Sequence, residues 1–166
     1  MTSPLVLEKT GQVAAQKLLG PAQLGRLVQQ AADARQWAGL VEFSTARVYH
    51  RLELTEIYEV WLLTWLPGQH TGFHDHGDAC GAFAVVQGEL EERLARPGRR
   101  QVHRRTAGPG KVTAFGAQHL HDVGNESAVR SVSVHAYSPP LTAMRRYDMT
   151  ASGLVQVRTD VAEEDW

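Results

Sequence analysis

His74, Asp75 and His76 form an H-x-H triplet between a Pro67-Gly68 turn signal and an apolar run from Ala82 to Val86. On a β-strand, residues two apart point to the same face, about 6 to 7 Å apart along the chain. Two imidazoles so placed can ligate one metal ion, while Asp75 faces the other way. A pair of surface histidines in a polar turn would read the same, so the metal reading needs a third ligand. His121, in the segment HLHDVGN and 45 residues after His76, is the best candidate. His119, two residues earlier, could also face inward, and His135 sits in the last long strand-like run. His50, His70 and His103 read as solvent-facing or turn histidines. Three imidazoles with open coordination positions suit zinc as well as ferrous iron, so the residue types alone leave the metal open.

The elements that must carry these residues are mostly strands. From about residue 41, short β-rich runs alternate with Gly, Pro and charged turns. The runs are 46–52, 57–66, 71–76, 82–87, 90–96, 100–106, 111–115, 119–123 and 130–137. This spacing predicts an all-β barrel or sandwich. Arg96-Pro97-Gly98-Arg99 and Ala107-Gly108-Pro109-Gly110 are turns. The run IYEVWLLTWL over 57–66 is apolar enough to be central in its sheet, with Trp61 and Trp65 in the core. In the run before it, Arg47, Tyr49 and Arg51 share a face. Residues 10 to 37 carry a partly three- and four-spaced apolar pattern, broken at Gly20-Pro21, which predicts two helices covering a sheet. Asp160 to Trp166 reads as an acidic, peripheral tail.

The 166 residues are enough for one domain with a sizeable core. With 43 % hydrophobic and 21 % charged residues the chain falls among globular rather than disordered sequences. A formal net charge of -1 gives no electrostatic reason to bind nucleic acid or an anionic membrane. No apolar run approaches a membrane span, and residues 1 to 20 lack the pattern of a secretion signal. Cys80 is the single cysteine, so an intramolecular disulfide is excluded and the cytoplasm is the expected compartment.

The motifs together resemble a family. Gly68, five residues, His74-x-His76 and then Gly88 follow the first motif of the cupin β-barrels, and His121-x-x-x-Asn125 follows the second. The usual cupin carboxylate ligand would fall near Gly81, which has no side chain to offer. Within cupins, HDHGDACGAFAVVQGELEE, HLHDVGN and SVSVHAYSPP are similar to the cysteine dioxygenase (type I) family in its bacterial form, over roughly residues 45 to 140. The implied fold is mainly β, a small cupin barrel or jelly roll with N-terminal helices packed outside. One domain would span the chain, with a helical segment over 1–40, the barrel over 41–140 and a C-terminal extension over 141–166.

The resemblance implies Fe(II) held by His74, His76 and His121, and a small thiol and O2 as partners. Members oxidise L-cysteine to its sulfinic acid, a reaction of cysteine catabolism; 3-mercaptopropionate is the alternative substrate. The family's carboxylate-binding arginine maps to Arg47, with Arg51 as runner-up; relatives with glutamine there tend to prefer 3-mercaptopropionate, so an arginine leans toward cysteine. Ser133, His135 and Tyr137 alternate along one strand and map to an outer relay that directs the Tyr137 hydroxyl at the substrate. Animal members carry a cysteine cross-linked to the tyrosine equivalent to Tyr137. That position is Gly81 here and Cys80 should point away, so the expectation is no cross-link. A cis Ser138–Pro139 bond is a further family-based expectation. The chain is expected to act as a monomer, without nucleic acid or membrane. A non-catalytic metal-binding cupin and a zinc-dependent cupin isomerase are the readings from other classes.

Overall fold

A computed structural model describes residues 17–161 of the chain. Among these residues, two antiparallel sheets form a cupin-like β-barrel, and an α-helix covers the outside of the first sheet. That helix, α1 (Pro21–Ala34), begins at a proline in its first turn, where the missing N–H costs nothing. The Gly20 N–H donates to Gln23 Oε1 at 3.0 Å, which satisfies one donor at the helix entry. Leu24, Val28 and Ala32 recur every fourth residue and are buried, so they form the stripe laid on the sheet. The second expected helix is therefore present. Of the first, residues 17 to 20 are not helical, and its remainder lies outside the described residues.

The first sheet has the order β1–β2–β9–β4–β7, from β1 (Val48–Leu54), β2 (Glu59–Trp65), β9 (Ser131–Ser138), β4 (Cys80–Gln87) and β7 (Val112–Phe115). The second has the order β11–β10–β3–β8–β5–β6. Its strands are β11 (Gly153–Val161), β10 (Ala143–Thr150), β3 (Phe73–Asp75), β8 (His121–Gly124), β5 (Leu90–Leu94) and β6 (His103–Ala107). All nine expected strands are present, with ends shifted by at most three residues. The sequence reading ended the barrel near residue 140, but β10 pairs with β3 and β11 pairs with β10, so the second sheet runs on to Val161. Asp160, expected in a peripheral tail, is buried and paired with Arg146 and Arg158.

Strand β9 explains how the barrel is filled. Every residue from Ser131 to Ser138 is buried, because this strand is covered on both faces. Val132, Val134 and Ala136 face the helix and pack with Leu24, Val28, Leu62, Ala82 and Ala84. The residues between them, Ser133, His135 and Tyr137, point into the barrel, where Tyr137 joins Trp65, Phe83, Val85, Leu90 and Val123. The period of two thus separates a dry helix-to-sheet layer from an interior able to hold chemistry. The Ser138–Pro139 bond is cis, as expected.

Candidate metal centre

Three histidines meet inside the barrel. His74 lies on β3 directly across from His121 on β8, and His76 follows just past the end of β3. All three are buried, and one ring nitrogen from each lies within 4.8 Å of the others. Hydrogen bonds fix the direction of two rings. His74 Nδ1 donates to the Gly72 carbonyl at 2.9 Å, and His121 Nδ1 donates to Glu92 Oε1 at 2.8 Å. In the neutral form each therefore presents Nε2 as a bare lone pair. His74 Nε2 and His76 Nε2 stand 3.2 Å apart, and His76 Nδ1 has no partner among the described residues.

This arrangement fits a cation. Three imidazole nitrogens about 2.1 Å from one ion, at right angles to one another, would lie about 3.0 Å apart. An ion would also give the inward-facing Nε2 lone pairs of His74 and His121 a partner in a buried space. Burial, then the charge of neighbouring histidines, holds His74 and His76 well below the ordinary imidazole range, with Arg146 and Arg47 adding to the effect at His74. Burial likewise lowers His121, against the pull of Glu92. Neutral imidazole is the form that binds metal. Asp75 faces away, as expected, and accepts from Arg145 Nε at 2.8 Å and Tyr147 Oη at 2.6 Å.

Glu92 on β5 is the carboxylate that orients the set. Burial alone pushes its carboxyl up, but bonds from His119, His121 and Arg105 outweigh this and hold it below the ordinary carboxylate range. Glu92, His119 and His121 also satisfy the spacing of a second metal group. There, however, Arg105 and two histidine nitrogens already supply donors to the carboxylate. Glu92 therefore acts as an orienting partner, the kind of group that ligating histidines commonly carry. His119 is stacked on Phe115 at 4.4 Å and belongs to this outer network, not to the trio.

A pocket opens beside His74 and His121. Its walls are Leu63, Val123, Leu141 and Met144, with Trp61, Tyr49, His135, Tyr137, Arg47 and Arg146 contributing the polar and aromatic surface. Arg47 sits just before β1 with its guanidinium 5.7 Å from the centre of the Trp65 ring. Burial, then the charge of Arg146, lowers its pKa. Arg51 is exposed over Trp61 at 5.4 Å and does not line the pocket.

Along β9 the polar side chains form a chain. Trp65 Nε1, which can only donate, donates to Ser133 Oγ at 2.9 Å. The buried serine proton then finds its acceptor in His135 Nε2 at 2.8 Å. This leaves the His135 proton on Nδ1, 3.4 Å from the Tyr137 hydroxyl, a long and weak contact. Burial, then His121 and Arg47, pushes His135 down to about 3, so it is neutral. Burial, then Glu59, raises the Tyr137 phenol. The Tyr137 O–H proton is thus kept on the oxygen and turned toward the pocket.

Gly81 pairs with Phe115 and Tyr137, and a Cβ there would lie 2.4 Å from the Phe115 ring. Phe115, stacked on His76 at 5.4 Å, fills the space a carboxylate ligand would need. Cys80 packs on the helix side of the sheet and Tyr137 on the barrel side, so the two cannot meet.

Sequence reasoning missed Glu92 and Arg146, and read Trp61 and His70 too simply. Glu92 had a signal, an acid on the inward parity of Leu90 and Leu94. Arg146 fell in the stretch taken as an extension. Trp61 lines the pocket instead of lying wholly in the core. His70 is held between Arg93 at 3.0 Å and Glu126 at 3.2 Å, not free in solvent.

Residues 9–150 match the family model described as cysteine dioxygenase type I. Among solved structures, a protein from Thermus thermophilus is 21 % identical, with 63 % of this chain and 95 % of that chain covered and a TM-score of 0.56. A double-stranded β-helix protein from Klebsiella pneumoniae is 17 % identical, covering 73 % of this chain and 93 % of its own, at a TM-score of 0.53. A cupin superfamily protein from Desulfitobacterium hafniense is 14 % identical, covering 61 % and 85 %, at a TM-score of 0.52. Likeness at these identities concerns the fold, a cupin barrel.

Proposed function

The chain belongs to the cysteine dioxygenase type I family, and we propose that it oxidises L-cysteine with O2 to cysteine sulfinic acid at one Fe(II) held by His74, His76 and His121. The observation that carries this reading is the convergence of three neutral imidazoles, without a carboxylate, beside a pocket that also holds Tyr137 and Arg47. Zinc would suit three histidines equally, so the choice of iron rests on the family and on the need for a metal that reacts with O2.

The reaction balances without an outside reductant. RSH and O2 give RSO2H; the sulfur loses four electrons, O2 gains four, and both oxygens stay in the product. A ferrous ion would supply O2 activation and favour the thiolate form of the substrate. Arg47 would bind the substrate carboxylate, a charge-assisted contact worth about 1.5–3 kcal/mol. Ser133 and His135, oriented from Trp65, hold the Tyr137 hydroxyl as a donor toward the substrate. The enclosing leucine, valine and methionine side chains limit water at the sulfur. A monomer working in the cytoplasm belongs to the same proposal.

Substrate choice tests the Arg47 assignment. The wild type should turn over cysteine faster than 3-mercaptopropionate, consuming one O2 per thiol, and Arg47→Gln should lower kcat/KM for cysteine about tenfold or more. Faster turnover of 3-mercaptopropionate by the wild type would overturn the assignment to cysteine.

A further inference from the structure

The pocket holds a second cation that the reaction as proposed leaves without a role. Arg146 lies on β10, directly across the ladder from His74. Arg47 comes from just before β1 of the other sheet, so the two guanidinium groups reach the pocket from different sheets. Arg146 is anchored on one edge only. Its Nε donates to Asp160 and its Nη1 donates to the Thr71 carbonyl at 3.1 Å. Its Nη2 has no hydrogen-bond partner among the described residues, and neither has any nitrogen of Arg47.

The charge around these groups is unbalanced. Asp160 is shared with Arg158, whose Nε lies 2.8 Å from it, so it does not neutralise Arg146 fully. Both arginines also line an outer depression that shares Tyr49 and Thr71 with the pocket, where Arg158 adds a third cation and Asp148 is the one acid in the lining. Two cations confined in a partly dry space repel each other unless anions sit between them. An α-amino acid brings one carboxylate, enough for Arg47.

We propose that Arg146 is a second carboxylate-binding residue, and that the pocket accepts thiols carrying two carboxylates as well as those carrying one. One carboxylate would lie against Arg47 and the other against the free edge of Arg146, with the sulfur between them at the histidines. This rests on the thiol-oxidation reading of the site. Forked arginine donors match carboxylate geometry, and their fixed spacing would discriminate a dicarboxylate from a monocarboxylate by position as well as by charge. The chemistry at sulfur is unchanged: a thiol plus O2 gives a sulfinate.

Calorimetry on the metal-free full chain tests the binding claim without any oxidation. Succinate and propionate serve as thiol-free probes. Succinate should bind about tenfold or more tighter than propionate, the gain of one further charge-assisted contact. Arg146→Gln should bring the ratio of the two affinities close to one, and Arg146→Lys, which keeps the charge that faces Asp160, should give an intermediate ratio. Equal affinities in the wild type, or a ratio unchanged in both variants, would overturn the proposal. With the metal-loaded enzyme, the kcat/KM ratio of 2-mercaptosuccinate to 3-mercaptopropionate should fall about tenfold in Arg146→Gln. Selective succinate binding by a chain that oxidises no thiol would support the two-arginine site while contradicting the dioxygenase reading, so the two can fail separately.

Discussion

His74, His76 and His121 owe their readiness to bind metal to hydrogen bonds made on their far sides. Gly72 and Glu92 take the Nδ1 protons of His74 and His121 and turn the Nε2 lone pairs inward. Alanine at any of the three should abolish stoichiometric iron and activity together, whereas His119→Ala should retain most of the iron and Tyr137→Phe should retain iron while slowing turnover. Metal analysis of the purified variants checks this. Iron lost from His119→Ala but kept by His121→Ala would reverse the ligand assignment. The trio was legible because H-x-H spacing and a distant HLH segment are local patterns. Glu92 was not, because an acid at an inward position looks like a solvated charge until the strand carrying His121 is placed beside it. Arg146 was hidden for a similar reason: its partner Asp160 lies 14 residues on, and sequence alone does not pair them.

At the level of elements, strands β4, β7 and β9 decide the shape of the site through Gly81. Phe115 occupies the volume next to that glycine and braces His76. The ring also stacks on His119, so it cannot swing aside freely. Gly81→Ala should therefore destabilise the fold by about 1–3 kcal/mol through overpacking. It should also weaken metal binding by displacing His76. A urea midpoint unchanged from wild type would show that the strands give way more easily than this packing suggests. Nine strands were legible from alternation and turn residues. Strands β10 and β11 were not, because AMRRYDMT carries charges on both parities, and GLVQVRTDV leaves Val155, Val157 and Val161 exposed while Asp160, on the other parity, is buried. Arg146 and Asp160 pair diagonally across the two strands, so an ion pair stands on the inward parity where a half-buried strand would carry apolar residues.

Across the whole molecule, burying neutral histidines couples stability to pH. His135 titrates near 3 in the fold, mainly from burial, against about 6.5 in an unfolded chain. His74, His76 and His121 are displaced in the same direction. Below pH 6.5 the unfolded metal-free chain thus binds more protons than the folded one, and stability falls with pH. Each such histidine adds about 1.4 kcal/mol per pH unit at most, and the His135 contribution is fully lost by pH 3. Urea unfolding of the metal-free protein between pH 6.5 and 5, above the carboxylate range, should show this slope; a flat profile there would contradict the buried neutral set. The composition indicated a globular chain with a sizeable core, but not that the fold would gather two arginines beside the three histidines.

The central claim is that this histidine centre puts both atoms of O2 on a thiol sulfur. Incubating the Fe(II)-loaded protein with cysteine under 18O2 and weighing the product by mass spectrometry tests it directly. The account predicts cysteine sulfinic acid carrying two labelled oxygens. A product with one label, disulfide alone, or no O2 consumption by protein with iron bound would contradict it.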